Sequence, residues 1–198
     1  MRRVGVLALQ GSFAEHEATL SWLGVVTTQV RRVEHLRDID ALVIPGGEST
    51  TVGKLMVLYH LDEAIKDLAN KGMPLFGTCA GMILMAREVE GPPQPILNLM
   101  DIKIKRNAYG RQLDSFEAEF PVLSMGKKPY HGVFIRAPHF KSLSPQVTIL
   151  AYCDGLPVAA RQGKMLVSAF HPELTNDLRF HRYFLKKVCN YLHIQEGD

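Results

Sequence analysis

Phe76-Gly77-Thr78-Cys79-Ala80-Gly81 has the G-x-C-x-G spacing of a nucleophile elbow, the cysteine counterpart of the G-x-S-x-G turn. Upstream, Met73-Pro74-Leu75-Phe76 reads as a short buried strand. Downstream, Met82-Ile83-Leu84-Met85-Ala86-Arg87-Glu88 reads as a helix, so Cys79 falls at a strand-to-helix corner. A thiol at such a corner is presented rather than packed. The two glycines relieve crowding in the turn, and the positive end of the helix behind Cys79 favours negative charge on its sulfur.

A strand that feeds a helix in this way implies an α/β architecture, and the N-terminal half keeps the same rhythm. Val4 to Leu9, Val25 to Val30 and Ala41 to Ile44 read as strands, Phe13 to Leu23 as a helix, and two further helical stretches precede Leu75. The helix from Phe13 carries Phe13, Glu17, Leu20 and Leu23 on neighbouring turns, with Ser12 as its N-cap and Gly24 as its terminator. Glu15-His16-Glu17 on that helix contains metal-ligand residue types, but no second ligand cluster accompanies it, so the triplet reads as a solvated helix face.

After Gly91-Pro92-Pro93-Gln94-Pro95 the pattern changes to shorter strands: Leu99 to Lys105, Phe116 to Phe120, Gly132 to Arg136, Val147 to Cys153, Val158 to Gln162 and Met165 to Phe170. Alternation is clearest at Phe116-Glu117-Ala118-Glu119-Phe120, and these strands read as antiparallel. A helix from about Asn176 to Leu192 closes the chain, with Leu178, Phe184, Leu185 and Val188 as its apolar stripe and Cys189 as a small core residue.

At 198 residues the chain suits one well-buried domain, residues 1–198. Its 46% hydrophobic and 22% charged residues are ordinary globular values. The net charge of +3 is scattered over basic pairs such as Arg31-Arg32 and Lys127-Lys128, without the clustered, aromatic-interleaved stripe of a nucleic-acid surface. The apolar run after Arg2-Arg3 stops at Gln10-Gly11, short of a signal sequence, and no run is long enough to span a membrane. Three cysteines without a C-x-x-C pair favour the reducing cytoplasm and leave a thiol free for chemistry.

A cysteine nucleophile needs a base and a group to orient it. His171-Pro172-Glu173 follows the apolar strand from Met165, and proline holds its predecessor extended, a geometry that puts residues i and i+2 on one face. Cys79, His171 and Glu173 can then act as nucleophile, base and orienter. Pro45-Gly46-Gly47-Glu48-Ser49-Thr50 forms a glycine turn at the C-terminal end of the strand Ala41 to Ile44, where α/β sheets bind ligands. There the N–H groups of Gly46 and Gly47, with that of Ala80 after the nucleophile, could form an oxyanion hole.

Each piece has a plainer reading. A lone cysteine is more often core than nucleophile, and it is the elbow context that reverses this. Gly47 to Lys54 mimics a phosphate loop but has one residue too many between its glycines, and Leu55 stands where Ser or Thr should hold magnesium.

Taken together, the motifs resemble the class I glutamine amidotransferases, which use Cys, His and Glu to hydrolyse glutamine. Within that class the chain is similar to the glutaminase subunits of pyridoxal 5′-phosphate synthases. The blocks that carry this likeness are Val6 to Gly11, Pro45 to Thr51, Gly77 to Gly81, Arg106-Asn107, Gly110-Arg111-Gln112, Asp114 to Glu117, Val133 to Pro138 and Phe170 to Thr175. The resemblance implies a three-layer α/β fold with a central, mostly parallel sheet flanked by helices and antiparallel additions in the C-terminal half. It further implies hydrolysis of L-glutamine at Cys79, His171 and Glu173, with Gly47, Glu48, Ser49, Arg106, Ile135 and Arg136 binding the substrate. Glu48 suits the substrate's ammonium and the two arginines its carboxylate. On the plainer reading the two arginines are ordinary surface or strand-end ion pairs.

The resemblance also implies a partner, a (β/α)8-barrel synthase subunit that takes the ammonia within a large hetero-oligomer. Pyridoxal 5′-phosphate would be that complex's product, so neither a cofactor nor a metal is expected here. Gln10 and Gly11 end the first strand at the same sheet edge as the Pro-Gly-Gly turn, which makes them candidates for coupling partner docking to the oxyanion hole. A class I glutaminase serving another synthase, and a non-catalytic thiol-bearing interaction protein, are the alternatives; the Gly-Gly-Glu-Ser-Thr-Thr turn with Arg106-Asn107 and Ile135-Arg136-Ala137-Pro138 argues against the first, and His171-Pro172-Glu173 against the second.

Overall fold

Five parallel strands put the elbow at the centre of the main sheet. The computed structural model describes residues 2–106 and 115–191. The sheet has seven strands, in the order β10 (Thr148–Cys153), β11 (Leu156–Gln162), β12 (Met165–Ser168), β4 (Leu75–Thr78), β3 (Ala41–Ile44), β1 (Arg3–Leu7) and β2 (Val26–Val30). β12, β4, β3, β1 and β2 run parallel, and β11 and β10 add antiparallel strands at one edge. Every residue of β3 and β4 is buried. Their continuous apolar runs are what a strand covered on both faces requires.

Alternation along β4 assigns the two outer layers. Phe76 points to one face, where its ring meets His16 of α1 (Phe13–Trp22), His181 of α5 (Arg179–Tyr183) and Phe184, which opens the π-helical turn Phe184–Val188. Gly77 points to the other, against Gly81 and Met85 of α4 (Ala80–Met85). α2 (Ser49–Leu58) packs on α4 and on α3 (Leu61–Asn70). The result is the three-layer α/β arrangement expected, with antiparallel additions in the C-terminal half. A three-stranded sheet of β5 (Ala86–Glu90), β6 (Met100–Lys105) and β9 (His139–Leu143), and a hairpin of β7 (Ser115–Phe120) and β8 (Tyr130–Ile135), complete it.

Several elements differ from the sequence reading. The helix after the elbow starts at Ala80 and ends at Met85 rather than running from Met82 to Glu88, because Ala86–Glu90 forms β5. Its register opposes Glu88 to Lys103 and Glu90 to Lys105 on β6, and such cross-strand pairs of opposite charge favour the strand. The C-terminal half is also not uniformly antiparallel: β5 pairs parallel with β6, and β12 parallel with β4. β9 was not foreseen. The closing helix runs only over Arg179–Val188, starting after Asn176 and ending before Cys189, and Leu192 lies outside the described residues.

α1 shows the clearest departure. Gly24 has a φ of 74°, and the bonds Gly24 N–H to Ser21 O and Val25 N–H to Leu20 O stop the helix as expected. Its buried face, however, is His16, Thr19, Leu20 and Leu23, not the row containing Glu17. Ser12 makes no side-chain cap; its hydroxyl is engaged elsewhere.

Candidate active site

At the elbow it is Cys79, not a glycine, that takes the strained conformation, with φ 48° and ψ −99°. A non-glycine residue held there costs about 1–3 kcal/mol and persists only where its surroundings enforce it. Here Cys79 N–H donates to Ser168 O at 2.8 Å, tying the corner to β12. The need for Gly81 is close approach: a Cβ would lie 2.0 Å from the Ile44 carbonyl oxygen, so only glycine lets α4 settle on β3. Cys79 is only 7% exposed, and its thiol lies 3.7 Å from the Ile135 carbonyl oxygen.

Because β12 runs parallel beside β4 with Ser168 opposite Thr78, the chain leaving β12 emerges at the edge occupied by Cys79. His171 Nδ1 lies 2.8 Å from Glu173 Oε1. The contact is made around a 3-10 turn, Pro172–Leu174, rather than along the extended chain that the sequence suggested. Both side chains are buried. Burial alone would lower the pKa of His171, but its bonds to Cys79 and Glu173 push it up to about 10. Burial would likewise raise the pKa of Glu173; His16, His171 and Ser12 outweigh this and hold it at about 2. The Ser12 hydroxyl donates to Glu173 Oε1 at 2.6 Å.

The glycine turn packs directly against this pair. A Cβ on Gly46 would lie 2.3 Å from His171 Cε1 and 3.4 Å from Cys79 Cβ. Gly11, with φ 105°, is so close that a Cβ would overlap the Gly46 carbonyl oxygen, and Gln10 Oε1 accepts from Glu48 N–H at 2.7 Å. Gln10 and Gly11 therefore touch the turn itself. Of the three expected oxyanion donors, Gly46 does not serve: its N–H donates inward to Thr78 Oγ1 at 3.1 Å, leaving those of Gly47 and Ala80 as candidates.

A cavity of about 530 Å³ opens in front of the thiol, lined by Gln10, Gly47, Glu48, Ser49, Cys79, Arg106, Ile135, Arg136 and His171. The six expected substrate-binding positions thus meet at one site. Ile83, Glu90, Gly91, Pro92 and Lys105 line it as well, without having been anticipated. Glu48 Oε2 caps α2, accepting from Thr51 N–H at 2.8 Å and from the Thr51 hydroxyl at 2.9 Å. Arg106 Nη1 donates to Gln94 Oε1 at 2.9 Å and to Thr50 Oγ1 at 3.1 Å, so its guanidinium is held by hydroxyl and amide rather than by a surface carboxylate. Ser49 and Thr50 bond the same Gln94 oxygen. Asn107, Gly110, Arg111, Gln112 and Asp114, which belong to the resemblance, lie outside the described residues.

Sequence reasoning missed Ser12, His16, Thr78, Gln94 and His181. His16 was assigned to a solvated face, yet it is fully buried and lies 3.3 Å from Glu173 Oε2. One signal was present: His16 precedes Leu20 by four residues and Leu23 by seven, the spacing of the helix's apolar stripe. Nothing comparable marked Gln94, which sits in a proline-rich loop.

A cysteine elbow beside a buried His–Glu pair, on a parallel sheet with these additions, is the architecture of the class I glutamine amidotransferases. The chain belongs to the SNO glutamine amidotransferase family, whose model matches residues 6–190. It is 54% identical over 190 residues to the pyridoxal 5′-phosphate synthase subunit PdxT of Carboxydothermus hydrogenoformans, covering 96% of this chain and all of that one. To the subunit of the same name from Pelotomaculum thermopropionicum it is 55% identical over 185 residues, 93% of this chain and 94% of the other. A solved glutamine amidotransferase superposes with a TM-score of 0.90 at 49% identity, over 94% of this chain and 98% of its own. Among the described residues no helix is long and apolar enough to cross a membrane.

Proposed function

We propose that this chain is the glutaminase of a pyridoxal 5′-phosphate synthase, hydrolysing L-glutamine to L-glutamate and ammonia and passing the ammonia to a synthase subunit. The observation that carries the reading is the His171–Glu173 contact of 2.8 Å behind a cavity whose wall includes Cys79. The names of the full-length relatives supply the pathway.

In this mechanism the Cys79 thiolate attacks the side-chain amide carbon of glutamine. Negative charge on the carbonyl oxygen is received by the N–H groups of Gly47 and Ala80. Protonated His171 gives its proton to the amide nitrogen, the C–N bond breaks, and ammonia leaves a glutamyl thioester on Cys79. Neutral His171 then takes a proton from water as the water adds to the thioester. The C–S bond breaks, glutamate departs and the thiolate–imidazolium pair is restored. Glu173 keeps the imidazole in the tautomer that presents Nε2 to the sulfur. Glu48, Ser49, Arg106, Ile135 and Arg136 hold the amino-acid end of the substrate.

The partner in this reading is a (β/α)8-barrel synthase in a large hetero-oligomer. Gln10 and Gly11 couple its docking to the oxyanion turn, through the bond from Glu48 N–H to Gln10 Oε1 and the contact of Gly11 with Gly46. Glutamine turnover measured with and without the synthase tests both parts. Activity is expected to depend on Cys79 and to rise with the partner. Ammonia release that ignores both the partner and Cys79→Ala would overturn the function; an equal kcat with and without the partner would overturn the coupling.

A further inference from the structure

His16 and His181 form a buried pair in which both rings are fully shielded from solvent. His16 Nδ1 lies 2.8 Å from His181 Nε2. On the other side of its ring, His16 Nε2 lies 3.1 Å from Thr78 Oγ1 and 3.3 Å from Glu173 Oε2. Among the described residues, Glu173 Oε2 and His181 Nδ1 have no hydrogen-bond partner.

These distances decide the tautomers. If His16 carried its proton on Nδ1 and donated to His181, the proton of His181 would sit on Nδ1, a buried N–H without an acceptor, which costs about 1–3 kcal/mol. The bare Nε2 of His16 would also face a carboxylate oxygen, lone pair against negative charge. The opposite assignment removes both penalties: His181 Nε2–H donates to His16 Nδ1, and His16 Nε2–H points to Thr78 and Glu173. His181 Nδ1 is then a bare acceptor, which can go unpaired more cheaply than a donor.

We propose that His16 is a positioning residue for the reaction: its Nε2–H, fixed in that tautomer by His181 and bonded to Thr78, turns its positive end toward the second oxygen of Glu173 at 3.3 Å, and this charge–dipole contact favours the orientation in which Glu173 supports His171. Ser12 donates to the first oxygen and His16 faces the second, so α1 and the residue preceding it meet both. The proposal rests on the glutaminase reading above. The charged and titratable groups around His16 are Glu173 and His171 beyond β12, His181 on α5 and Glu15 on its own helix. Burial holds His16 and His181 in the neutral form that the arrangement needs, lowering the pKa of His16 and taking that of His181 to about 3.

The test uses the full-length chain and two readouts across pH: iodoacetamide alkylation of Cys79, followed on its own peptide, and kcat/KM for glutamine with the synthase present. His16→Phe is expected to slow alkylation at neutral pH about tenfold and move the acid limb of both profiles up by about one unit, because a less firmly oriented Glu173 supports the His171 imidazolium less. His16→Gln, whose amide N–H reaches where Nε2–H stood, is expected to stay within about threefold of wild type with its limb unmoved. Should His16→Phe fail to fold, His16→Asn, whose amide stops short, carries the same expectation. Profiles that superimpose on wild type for the Phe or Asn variant, with only Tm lowered, would overturn the proposal, as would a Gln variant as impaired as the Phe variant. Glutamine turnover that survives Cys79→Ala would instead strike the glutaminase reading beneath it.

Discussion

Gly46→Ala places a methyl group against the catalytic base, and the structure sets the size of the effect. The new Cβ would lie 2.3 Å from His171 Cε1 and 2.8 Å from Nδ1. Carbon–carbon contacts become favourable only at about 3.5 Å, so ring and methyl must separate by about 1 Å. The ring has little freedom to yield, since Nδ1 is tied to Glu173 and the His171 backbone N–H donates to Val133 O at 2.8 Å. A displacement of about 1 Å in a reacting group is worth about a hundredfold in rate, or about 2.7 kcal/mol of barrier. Overpacking adds a folding cost of about 1–3 kcal/mol, which the protein can bear only if its stability is ordinary. The assay is kcat/KM for glutamine with the synthase present, alongside urea unfolding of the same preparation. A folded Gly46→Ala protein that keeps kcat/KM within threefold of wild type would refute the idea that the turn sets the position of His171.

Three further outcomes are expected. Ser12→Ala removes a donor to a buried carboxylate and should cost about 1.5–3 kcal/mol in urea unfolding at neutral pH, the loss shrinking as Glu173 is protonated; a loss equal at every pH would count against this account. Gly81→Ala drives a Cβ to 2.0 Å from the Ile44 carbonyl oxygen, a clash no rotamer relieves, so destabilisation of about 3 kcal/mol or insoluble expression is expected, and near-native stability would contradict the packing of α4 on β3. Stability should peak near pH 6.5. Below it, neutral His16 and His181 must take up protons on unfolding, with Glu173 adding its own loss from pH 4.5 down to about 2; above it, the raised pKa of His171 makes the folded state release its proton late, so stability falls towards pH 10. Unfolding free energies from pH 4 to 10 check the sign on each side, and Cys79→Ala should flatten the alkaline limb.

The elbow, the His171-Pro172-Glu173 triplet and the glycine turn were legible because each is local: spacing within a few residues dictates the corner, the pairing and the exposed backbone. β3 and β4 were legible for a similar reason, as unbroken apolar runs between turn residues. The strand Ala86–Glu90 was not, because it forms by pairing with β6, a strand that the linear pattern cannot align with it. Gly46 was assigned an oxyanion donor on residue type, whereas the direction of its N–H depends on Thr78, 32 residues away.

Sequence alone determined that this protein has a parallel α/β core and carries its reactive thiol at a strand–helix corner, because hydrophobic period and turn chemistry act over short stretches of chain. Tertiary structure decided what surrounds that thiol. The parallel register of β12 on β4 brings His171 and Glu173 to the edge that holds Cys79, and α1 packs so that Ser12 and His16 meet the two oxygens of one buried carboxylate. Burial and distance then set the charge of that carboxylate, and neither can be read from the order of residues.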